Sequence, residues 1–494
     1  MLAAVVLEKT AEKAMKAVGK CKKADLIELR LDCIKDLSHA KLKELIGKCN
    51  KPVIATNRKK DDGGFFNGNE EKRTAILKTA VDLGADYVDI EYSNENSAKS
   101  LIKNKKNTKI IVSYHNFKET PSNIKNIYNN IKKLNPDLIK IITNADAVTD
   151  NFKIFDLLKA ANEEKRKIIA FCMGPYGQFG RIFSLILGSK IAYASIEKGN
   201  ESASGQLTLN ELIDNYRIKK LNKKTKIAGL IGNPVEHSWS HIMHNEGFDT
   251  LNINAVYLKF QVDRLKEFIE HLRQLNVIGF SVTIPHKIEV MEYLDEIDEK
   301  AEEIGAVNTI VMRDKKLVGY NTDCYGAIQA LKEEIYLKGK RAVLLGAGGS
   351  TRAVAYGLRE ESAKITILNR TVGKAKSLAG YFGCDYGPLS RLEDLDYDIL
   401  INTTSVGMHP NVNESIMPLN LIKKNSVVFD IVFNPFKTRL LKDAEKKGCT
   451  IIPGFEMLIY GAMLQFRLWT NKNAPEKAMR KKVMSYLKNA GNKN

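Results

Sequence analysis

The stretch DLIKIIT at residues 137–143 consists largely of branched aliphatic residues, as a buried strand would, but it carries Lys140 at its centre. A lysine on an edge strand can extend its amine into water. An amine enclosed in the protein instead has its pKa lowered by burial or by neighbouring cations, and can then form a Schiff base with a ketone. The elements around this strand decide between the two interpretations.

This stretch is one of eight β-rich runs between residue 1 and about residue 218, which are separated by helical, Lys/Glu-rich segments. Eight β/α alternations over this length predict a (β/α)8 TIM barrel in an α/β protein, with its active site at the carboxyl ends of the strands. The eight runs are AAVVL (3–7), ADLIELR (24–30), PVIAT (52–56), DYVDIEY (86–92), KIIVSYH (109–115), DLIKIIT, KIIAFC (167–172) and IAYASI (191–196).

Polar residues lie at the end of these runs where a barrel has its active site. Because the carboxyl ends of all the strands meet at one rim, we expect these side chains to lie close together. A solvated surface would scatter them. The set comprises Glu28, Arg30, Arg58, Glu91, His115 and Lys140.

The composition is that of a globular protein with several domains. A chain of 494 residues is too long for a single hydrophobic core. Its seven cysteines lack C-x-x-C spacing, which predicts a reduced protein in the cytoplasm. The start, MLAAVVLE, is too short and lacks the basic residue of a signal peptide, and no apolar run is long enough to span a bilayer. We therefore expect no membrane association.

The net charge of +19 at pH 7 admits nucleic acid, anionic lipid or small anionic substrates as partners. Lysines are spread along the whole chain, and no nucleic-acid motif is present, so we expect small anionic substrates and no nucleic acid. The sequence does not indicate an oligomeric state. His237, His241 and His244 have helical spacing, but no acidic or cysteine partner completes a site, so we predict no metal.

The basic segment RIKKLNKKTK (217–226) is typical of a linker, and we expect it to follow a barrel at 1–218. Beyond it, β/α alternation resumes with KIAGLIGNP, NAVYLKF and VIGFSVTIPHK. We place a domain at 227–328, a second α/β domain at 329–454 and a helical tail at 455–494.

A glycine-rich turn follows the strand-like run RAVLL and opens a helix. Glycines there allow a tight turn and close approach of a pyrophosphate to the helix N-terminus, as in a Rossmann dinucleotide site. Thr351 occupies the third fingerprint position. The next strand ends at an arginine, which matches a 2′-phosphate, so NADP(H) is favoured over NAD. The candidate cofactor residues are Gly346, Ala347, Gly348, Gly349, Asn369, Arg370 and Thr371.

Two families are identified by motifs in order along the chain. Residues 227–494 resemble shikimate dehydrogenase over their whole length, and residues 1–218 resemble type I 3-dehydroquinate dehydratase. The chain therefore resembles the fused bifunctional enzyme of the shikimate pathway. The first resemblance rests on HSWSH, SVTIPHK, GAVNT, NTDCYG, GAGGSTRA, NRT, NTTSVGM and GFEMLI, and the second on ELRLD, DIEY, SYHNF, LIKI and SASGQ.

The dehydratase resemblance implies that Lys140 forms a Schiff base with the substrate ketone. His115 is then the general base for the C2 proton and the general acid for the departing C1 hydroxyl. Glu91 is expected to orient His115. The substrate's carboxylate and hydroxyls are expected to bind Glu28, Arg30, Arg58, Arg181, Ser202 and Gln206, with Arg181 as the best carboxylate clamp.

The dehydrogenase resemblance implies that Lys287 and Asp323 are a catalytic pair that stabilises the alkoxide and passes the proton during carbonyl reduction. Substrate binding is expected from Ser238 and Ser240 for the carboxylate, and from Thr283, Asn308 and Gln465 for the hydroxyls.

Three positions depart from the family pattern. Ser281 replaces a common Asn, Phe433 a usual Tyr, and Gly461 a Gln that contacts substrate. Gln465, one helical turn after Gly461, is the candidate for replacing the lost amide. These departures leave the preference among shikimate, quinate and related acids open.

The sequence leaves two alternative functions. In the first, the second half oxidises quinate, which the retained Ser240 and Thr283 disfavour. In the second, the chain is a ligand-sensing regulator without catalysis. A sensor needs no imine or proton relay, so this function is disfavoured by the presence of Lys140, His115, Lys287 and Asp323. Fusion is expected at most to raise the local concentration of the shared intermediate.

Overall fold

The computed structural model describes residues 1–273 and 275–491. The last three residues of the predicted C-terminal tail, 492–494, lie outside this range. The chain forms two compact units, one of Met1–Lys226 with Asn254–Asn276 and one of Ile227–Ile253 with Val277–Asn494. Within the described range, no helix combines the length and the apolarity that crossing a membrane requires.

The first unit contains the predicted barrel. Its strands are β1 (Leu2–Val6), β2 (Leu26–Arg30), β3 (Val53–Thr56), β4 (Tyr87–Glu91), β5 (Lys109–Asn116), β6 (Leu138–Asn144), β7 (Ile168–Met173) and β8 (Ala192–Ser195). They lie in the order β7-β6-β5-β4-β3-β2-β1-β8, with parallel pairing throughout. The Lys190 N–H donates to the Ile168 carbonyl on β7 at 2.9 Å, next to β8. The TIM-type fold is confirmed.

Helices connect consecutive strands of the barrel. They are α1 (Ala11–Val18), α2 (His39–Lys48), α3 (Glu70–Asp82), α4 (Glu95–Lys103), α5 (Ile124–Lys133), α6 (Asp150–Glu163) and α7 (Gly180–Ile186). After β8 the chain continues through a loop into a short π-helix, Glu211–Asn215, and a single 3-10 turn, Ile218–Lys220, within the predicted linker.

The alternation along β6 places Lys140 inside the barrel. Side chains of a strand point to opposite faces at successive positions, so Leu138, Lys140 and Ile142 share one face. Leu138 and Ile142 belong to the apolar cluster that fills the barrel interior. Lys140 is only 5% exposed, so its amine does not extend into bulk water. The edge-strand interpretation is therefore wrong.

A second sheet contains both parallel and antiparallel pairs. Its strands are β9 (Lys226–Gly232), β10 (Ala255–Gln261), β11 (Val277–Val282), β12 (Glu296–Ile297), β13 (Thr309–Arg313) and β14 (Lys316–Tyr320), in the order β10-β9-β11-β13-β14-β12. The helices of this region are α8 (Ser240–Thr250), α9 (Leu265–Leu272), α10 (Glu299–Ile304) and α11 (Thr322–Lys332).

The β13–β14 hairpin was not expected from the sequence, which suggested only β/α alternation here. These two strands pair antiparallel and are joined by Asp314 and Lys315, which have φ values of 48° and 67°. Two successive residues with positive φ are what a tight hairpin turn requires. Asp-Lys lacks the glycine that usually marks such a turn.

The third sheet has the Rossmann topology. Its strands are β15 (Arg341–Leu345), β16 (Lys364–Leu368), β17 (Asp385–Gly387), β18 (Ile399–Asn402), β19 (Val427–Asp430) and β20 (Thr450–Pro453), in the order β17-β16-β15-β18-β19-β20. All neighbours are parallel. This is the 3-2-1-4-5-6 order of dinucleotide-binding folds. The accompanying helices are α12 (Gly349–Glu360), α13 (Val372–Phe382) and α14 (Arg439–Lys446).

The C-terminal helices α15 (Gly454–Thr470) and α16 (Glu476–Gly491) pack against α8. Met243 of α8 shares one buried cluster with Ile459 of α15 and Val483 of α16.

The predicted domain boundaries remain predictions, and two features of the structure bear on them. Residue 328 lies inside α11, which continues to Lys332 before the chain reaches β15. The segment 254–276, which contains β10 and α9, is grouped with the barrel and interrupts the predicted domain at 227–328. Motif order could not reveal this, because compactness depends on which apolar side chains meet in space.

We predict that Gly326→Ala destabilises the second unit. A Cβ at Gly326 would lie 2.4 Å from the Met457 carbonyl oxygen, where α11 meets α15, so the two helices would have to separate. Overpacking of this kind costs about 1–3 kcal/mol. Thermal unfolding of the full chain should show a lower transition temperature. Gly380→Ala is the matched control, since no atom of the described residues lies within 4 Å of its Cβ position. An added methyl group there should be neutral or stabilising.

Candidate active sites

The amine of Lys140 lies among charged groups at the centre of the barrel. Its Nζ is 2.9 Å from Oδ2 of Asp89 and 3.7 Å from Oε1 of Glu28. The ring of Tyr193 lies beneath it, with 4.2 Å between Nζ and the ring centroid. The amine is thus desolvated but compensated by two carboxylates and an aromatic face.

His115 lines the same pocket as Lys140. Burial lowers the pKa of His115 well below 6.5, and the nearby cations Arg58 and Lys140 lower it further. Its Nδ1 is buried and has no hydrogen-bond partner among the described residues. A neutral imidazole beside a buried amine is suited to accept a proton at neutral pH.

The structure does not support the expected role of Glu91 in orienting His115. The Glu91 carboxylate binds Arg73 and Arg58 and accepts a hydrogen bond from the backbone N–H of Lys59 at 3.3 Å. Buried cations therefore occupy both of its oxygens. Ion pairs thus connect Glu91 to Arg58 on one side and to Arg73 on the other.

Asp89 is a site residue that sequence reasoning missed. It is 1% exposed, and one of its oxygens contacts Lys140 while the other lies 2.9 Å from Nη2 of Arg58. The pKa of Asp89 is held below its usual range by Arg58 and Lys140, against the opposing effect of burial. The available signal was its position two residues before Glu91, on the same face of β4.

The three predicted arginines of the pocket differ in how their charge is balanced. Arg30 makes two hydrogen bonds to Asp32, at 3.0 and 2.7 Å, and Arg58 is paired with Asp89. Arg181 has no acidic partner in the described part of the chain. Its Nη2 donates to the Ser204 carbonyl at 2.7 Å, its Nε has no partner among the described residues, and it packs over the Phe171 ring.

Among the described residues, Arg181 is the pocket arginine without an acidic partner, so its charge is the most available to an anion. Burial lowers the pKa of Arg181 to about 10, yet the guanidinium stays charged at neutral pH. A carboxylate placed against its free Nε would balance a buried charge that no acidic residue in the described part of the chain balances.

Ser202 and Gln206 belong to the loop after β8. The backbone N–H and the hydroxyl of Ser202 both donate to Oε1 of Gln206, at 2.7 and 3.1 Å. The side-chain amide of Gln206 therefore fixes the conformation of this loop. Both residues line the pocket.

The pocket at the mouth of the barrel therefore unites most of the predicted dehydratase residues. It also includes Asp62, Phe117, Phe171, Met173 and Tyr193, which sequence reasoning did not select. The predicted residues at its wall are Glu28, Arg30, Arg58, His115, Lys140, Arg181, Ser202 and Gln206.

In the second unit, Lys287 and Asp323 form the predicted pair. Nζ of Lys287 is 2.5 Å from Oδ2 of Asp323, and both side chains are partly buried, 15% and 19% exposed. Asn308 donates from Nδ2 to the other Asp323 oxygen at 2.7 Å.

Asn308 is itself fixed by its neighbours. Its Oδ1 accepts hydrogen bonds from the backbone N–H of Thr322 at 2.7 Å and from the hydroxyl of Thr309 at 2.8 Å. The carboxylate of Asp323 is consequently held in one orientation.

Ser238 and Ser240 lie together at the start of α8. The Ser238 hydroxyl donates to the Ser240 hydroxyl at 3.1 Å and accepts from the Ser240 N–H at 3.2 Å. Thr283 follows β11, and its backbone N–H donates to the Ile231 carbonyl at 2.9 Å.

Gln465 does not offer a free amide in place of the one missing at Gly461. Its Oε1 accepts from Ser281 Oγ at 3.0 Å, and its Nε2 donates to Thr309 Oγ1 at 3.0 Å. The small Ser281 therefore pairs with Gln465. Phe433 packs edge-on against Trp239 at 5.1 Å between ring centroids.

The glycine-rich turn has the geometry that a dinucleotide site needs. Gly346 has φ of 122°, a conformation that favours glycine, and a Cβ placed at Gly348 would have no atom within 4 Å in the part of the chain that the structure describes. The Gly348 N–H donates to the Thr351 hydroxyl at 3.0 Å, so a threonine in the third fingerprint position caps α12. Backbone N–H groups at this helix start can receive a phosphate.

The three residues after β16 lie at the surface. Asn369 Nδ2 donates to the Thr371 carbonyl at 2.9 Å, and Arg370 is exposed without an ion pair to any residue in the described ranges. The residues present thus fit a nucleotide whose 2′ position carries a phosphate.

Comparisons with known proteins find matches for both halves of the chain. Residues 2–223 match the family model of type I 3-dehydroquinase. Residues 230–310, 329–435 and 454–484 match the models of the shikimate dehydrogenase substrate binding domain, of shikimate/quinate 5-dehydrogenase and of the shikimate 5′-dehydrogenase C-terminal domain. The chloroplastic bifunctional 3-dehydroquinate dehydratase/shikimate dehydrogenase of Arabidopsis thaliana is 38% identical over 480 residues, which cover 92% of this chain and 79% of the relative. The chain belongs to this bifunctional family.

The second half also resembles enzymes with a single activity. The NADP(+) shikimate dehydrogenase of Methanocaldococcus jannaschii is 45% identical over 280 residues, which cover 54% of this chain and 99% of that protein. A crystal structure of a shikimate dehydrogenase with NADP+ has a TM-score of 0.52 and 45% identity over 54% of this chain and 97% of its own. The Aquifex aeolicus shikimate dehydrogenase has a TM-score of 0.51 and 37% identity over 53% of this chain and 99% of its own.

The lowered pKa of His115 predicts the pH dependence of the dehydratase. The imidazole stays neutral as the pH falls through 6.5, so kcat/KM should show no inflection there and should decline only at more acidic pH. A pH profile of 3-dehydroquinate turnover measures this. His115→Gln, which removes the base, should lower kcat by about 10²–10⁴-fold. A loss of activity with a midpoint near pH 6.5 would contradict the neutral imidazole.

Proposed function

We propose that the barrel converts 3-dehydroquinate to 3-dehydroshikimate, and that the second half reduces 3-dehydroshikimate to shikimate with NADPH. The observation that carries the first assignment is a desolvated lysine in one pocket with a neutral histidine and an uncompensated arginine. The second is carried by the Lys287–Asp323 pair in a family of NADP(+) enzymes.

In the first reaction, Nζ of Lys140 bonds to the ketone carbon of 3-dehydroquinate, and water leaves to give an iminium. His115 takes the proton from C2, and the electron pair moves to the iminium nitrogen. The imidazolium then returns a proton to the C1 hydroxyl, which leaves as water. Hydrolysis of the imine releases the product and restores the amine.

Proton transfer in this pocket depends on His115, because the neighbouring Asp89 is a poor proton acceptor. The pKa of Asp89 is lowered by two cations, so its carboxylate stays ionised and acts as a fixed counter-charge. We assign Asp89 to holding the amine, and Arg181 to holding the substrate carboxylate. Glu28, Arg30, Arg58, Ser202 and Gln206 form the remaining polar wall.

In the second reaction, Lys287 and Asp323 act on the carbonyl oxygen. NADPH supplies the hydride when it is bound. The Lys287 ammonium donates a proton to the oxygen as negative charge develops, and the Asp323 carboxylate at 2.5 Å positions that ammonium. Asn308 fixes Asp323 and is therefore a positioning residue as well as a candidate for substrate contact.

The remaining dehydrogenase residues have binding roles in this proposal. The paired hydroxyls of Ser238 and Ser240 suit the substrate carboxylate, and Thr283 suits a ring hydroxyl. Gln465 supports the pocket through Ser281 and Thr309. The backbone at Gly346–Gly349 would hold the pyrophosphate, and Arg370 with Asn369 and Thr371 would hold the 2′-phosphate.

We also propose three functional domains: a dehydratase barrel at 1–218, a substrate-binding domain at 227–328 completed by the C-terminal helices, and an NADP-binding domain at 329–454. The packing of α15 and α16 on α8 supports the second of these. The seven free cysteines support a reducing compartment, for which we propose the cytoplasm. Small anionic substrates are the proposed partners.

Single-site variants separate the two activities. Lys140→Met should abolish NADPH oxidation started with 3-dehydroquinate but not that started with 3-dehydroshikimate, because the methionine cannot form an imine. Lys287→Met should lower both rates by orders of magnitude and leave the appearance of 3-dehydroshikimate unchanged. Borohydride added with 3-dehydroquinate should leave a reduced adduct on the peptide that contains Lys140. An adduct on another lysine, or turnover by Lys140→Met, would exclude the imine at Lys140.

Replacement of Arg370 tests the cofactor preference. Arg370→Ala removes a charged donor set worth about 1.5–3 kcal/mol, so KM for NADPH should rise roughly 10- to 100-fold while KM for NADH changes little. Initial rates with each cofactor measure the difference. Lys376→Ala, an exposed change on α13, is the control. Equal losses with both cofactors would contradict recognition of the 2′-phosphate by Arg370.

A further inference from the structure

An aromatic cluster joins the barrel to the segment 254–276 within the first compact unit. Its phenylalanines are at most 6% exposed, so the rings are enclosed by one another and by their surroundings. The barrel contributes Phe152 and Phe155 of α6, Phe183 of α7 and Phe179 just before α7, and the segment contributes Phe260 of β10 with Phe268 and His271 of α9.

Direct ring contacts hold the two parts together. The Phe179 and Phe260 centroids are 4.5 Å apart. The rings of Phe152 and His271 are stacked at 4.1 Å with an interplanar angle of 17°, and Phe268 lies 6.1 Å from Phe152. Contacts at these separations are typical of favourable aromatic pairs.

This cluster lies beside the catalytic rim of the barrel. Phe179 comes directly before α7, and Arg181 is the second residue of that helix. Arg181 has no acidic partner in the described ranges, so its direction is set by the position of α7 and by its hydrogen bond to the Ser204 carbonyl. Whatever fixes the start of α7 therefore also fixes the carboxylate clamp.

A second contact reaches the loop that follows the strand of Lys140. Oδ1 of Asp263 accepts a hydrogen bond from the Val148 N–H at 3.2 Å. Val148 lies between β6 and α6, four residues beyond the end of β6. Two loops at the catalytic face thus receive support from a segment that follows the linker.

We propose that the segment 254–276, although it lies in the dehydrogenase half of the sequence, is a positioning element of the dehydratase site. Phe260, packed on Phe179, fixes α7 and so the direction of Arg181, and Asp263 fixes the loop after β6. The proposal rests on the dehydratase activity assigned above.

The test compares variants of the full chain. Phe260→Leu should raise KM for 3-dehydroquinate roughly tenfold with a smaller change in kcat, since a small displacement of a binding group can cost that much. Phe179→Leu should do the same, and the double variant should cost little more than either single one. In an Arg181→Ala background, Phe260→Leu should add nothing further to KM. Phe382→Leu, in the other compact unit, controls for loss of a buried ring.

Asp263 provides a milder variant that leaves the core intact. Asp263→Ala removes the acceptor for Val148 and should lower the dehydratase kcat about threefold. Asp263→Asn keeps an oxygen at this place and should restore the rate. Glu267→Ala, an exposed change on α9, is the control.

The outcomes separate a positioning role from general destabilisation. An unchanged KM in Phe260→Leu, or equal effects of Phe260→Leu with and without Arg181, would overturn the proposal, as would an inactive Asp263→Asn. A fall in kcat alone, matched by Phe382→Leu, would show only a loss of folded protein and would also overturn it. If the unaltered chain does not turn over 3-dehydroquinate while reducing 3-dehydroshikimate, the dehydratase assignment itself fails.

Discussion

Enclosing the charge of Lys140 inside the barrel is the constraint on which the dehydratase site depends. A buried ammonium without partners costs several kcal/mol, so carboxylates must accompany it. Asp89 at 2.9 Å and Glu28 at 3.7 Å meet this need, and they require cations in turn. Arg58 forms ion pairs with both Asp89 and Glu91, and Arg73 forms a second ion pair with Glu91. The charges close into one network that holds the reactive nitrogen at the centre of the pocket.

Two groups of the pocket lie outside this network of balanced charges, and both have roles toward substrate in the proposed reaction. His115 is kept neutral with a buried, unpartnered nitrogen among the described residues, and Arg181 keeps a buried charge without an acid. Buried polar groups are rarely left unsatisfied unless a ligand completes them. The dehydrogenase pair is built differently. Lys287 and Asp323 are partly exposed and satisfy each other, which suits the proton relay proposed for them, a role in which neither group would form a bond to carbon.

Periodicity and motif order were sufficient for the barrel, the Rossmann sheet and most of the pocket. They were insufficient for the contacts between inward-facing charges. Asp89 and Glu91 share one face of β4, and by strand register Lys140 lies level with Ser113 and Glu91. The amine nevertheless contacts Asp89, two residues before Glu91 on β4, because the strands of a barrel are staggered and tilted. Choosing between two carboxylates two residues apart therefore requires the three-dimensional register, which one sequence does not contain.

The segment 254–276 shows that the sequence alone also leaves contacts between larger parts of the chain undetermined. Chemical motifs place it in the dehydrogenase half, whereas its apolar rings pack with those of α6 and α7 in the first compact unit. The spacing of Phe260 and Phe268 does not indicate which surface covers them, because any apolar face could bury these two rings. Sequence reasoning accordingly expected fusion to do no more than concentrate an intermediate. The packing argues for a closer dependence, in which a strand and a helix that the motifs assign to the dehydrogenase half support the catalytic face of the barrel within the first compact unit.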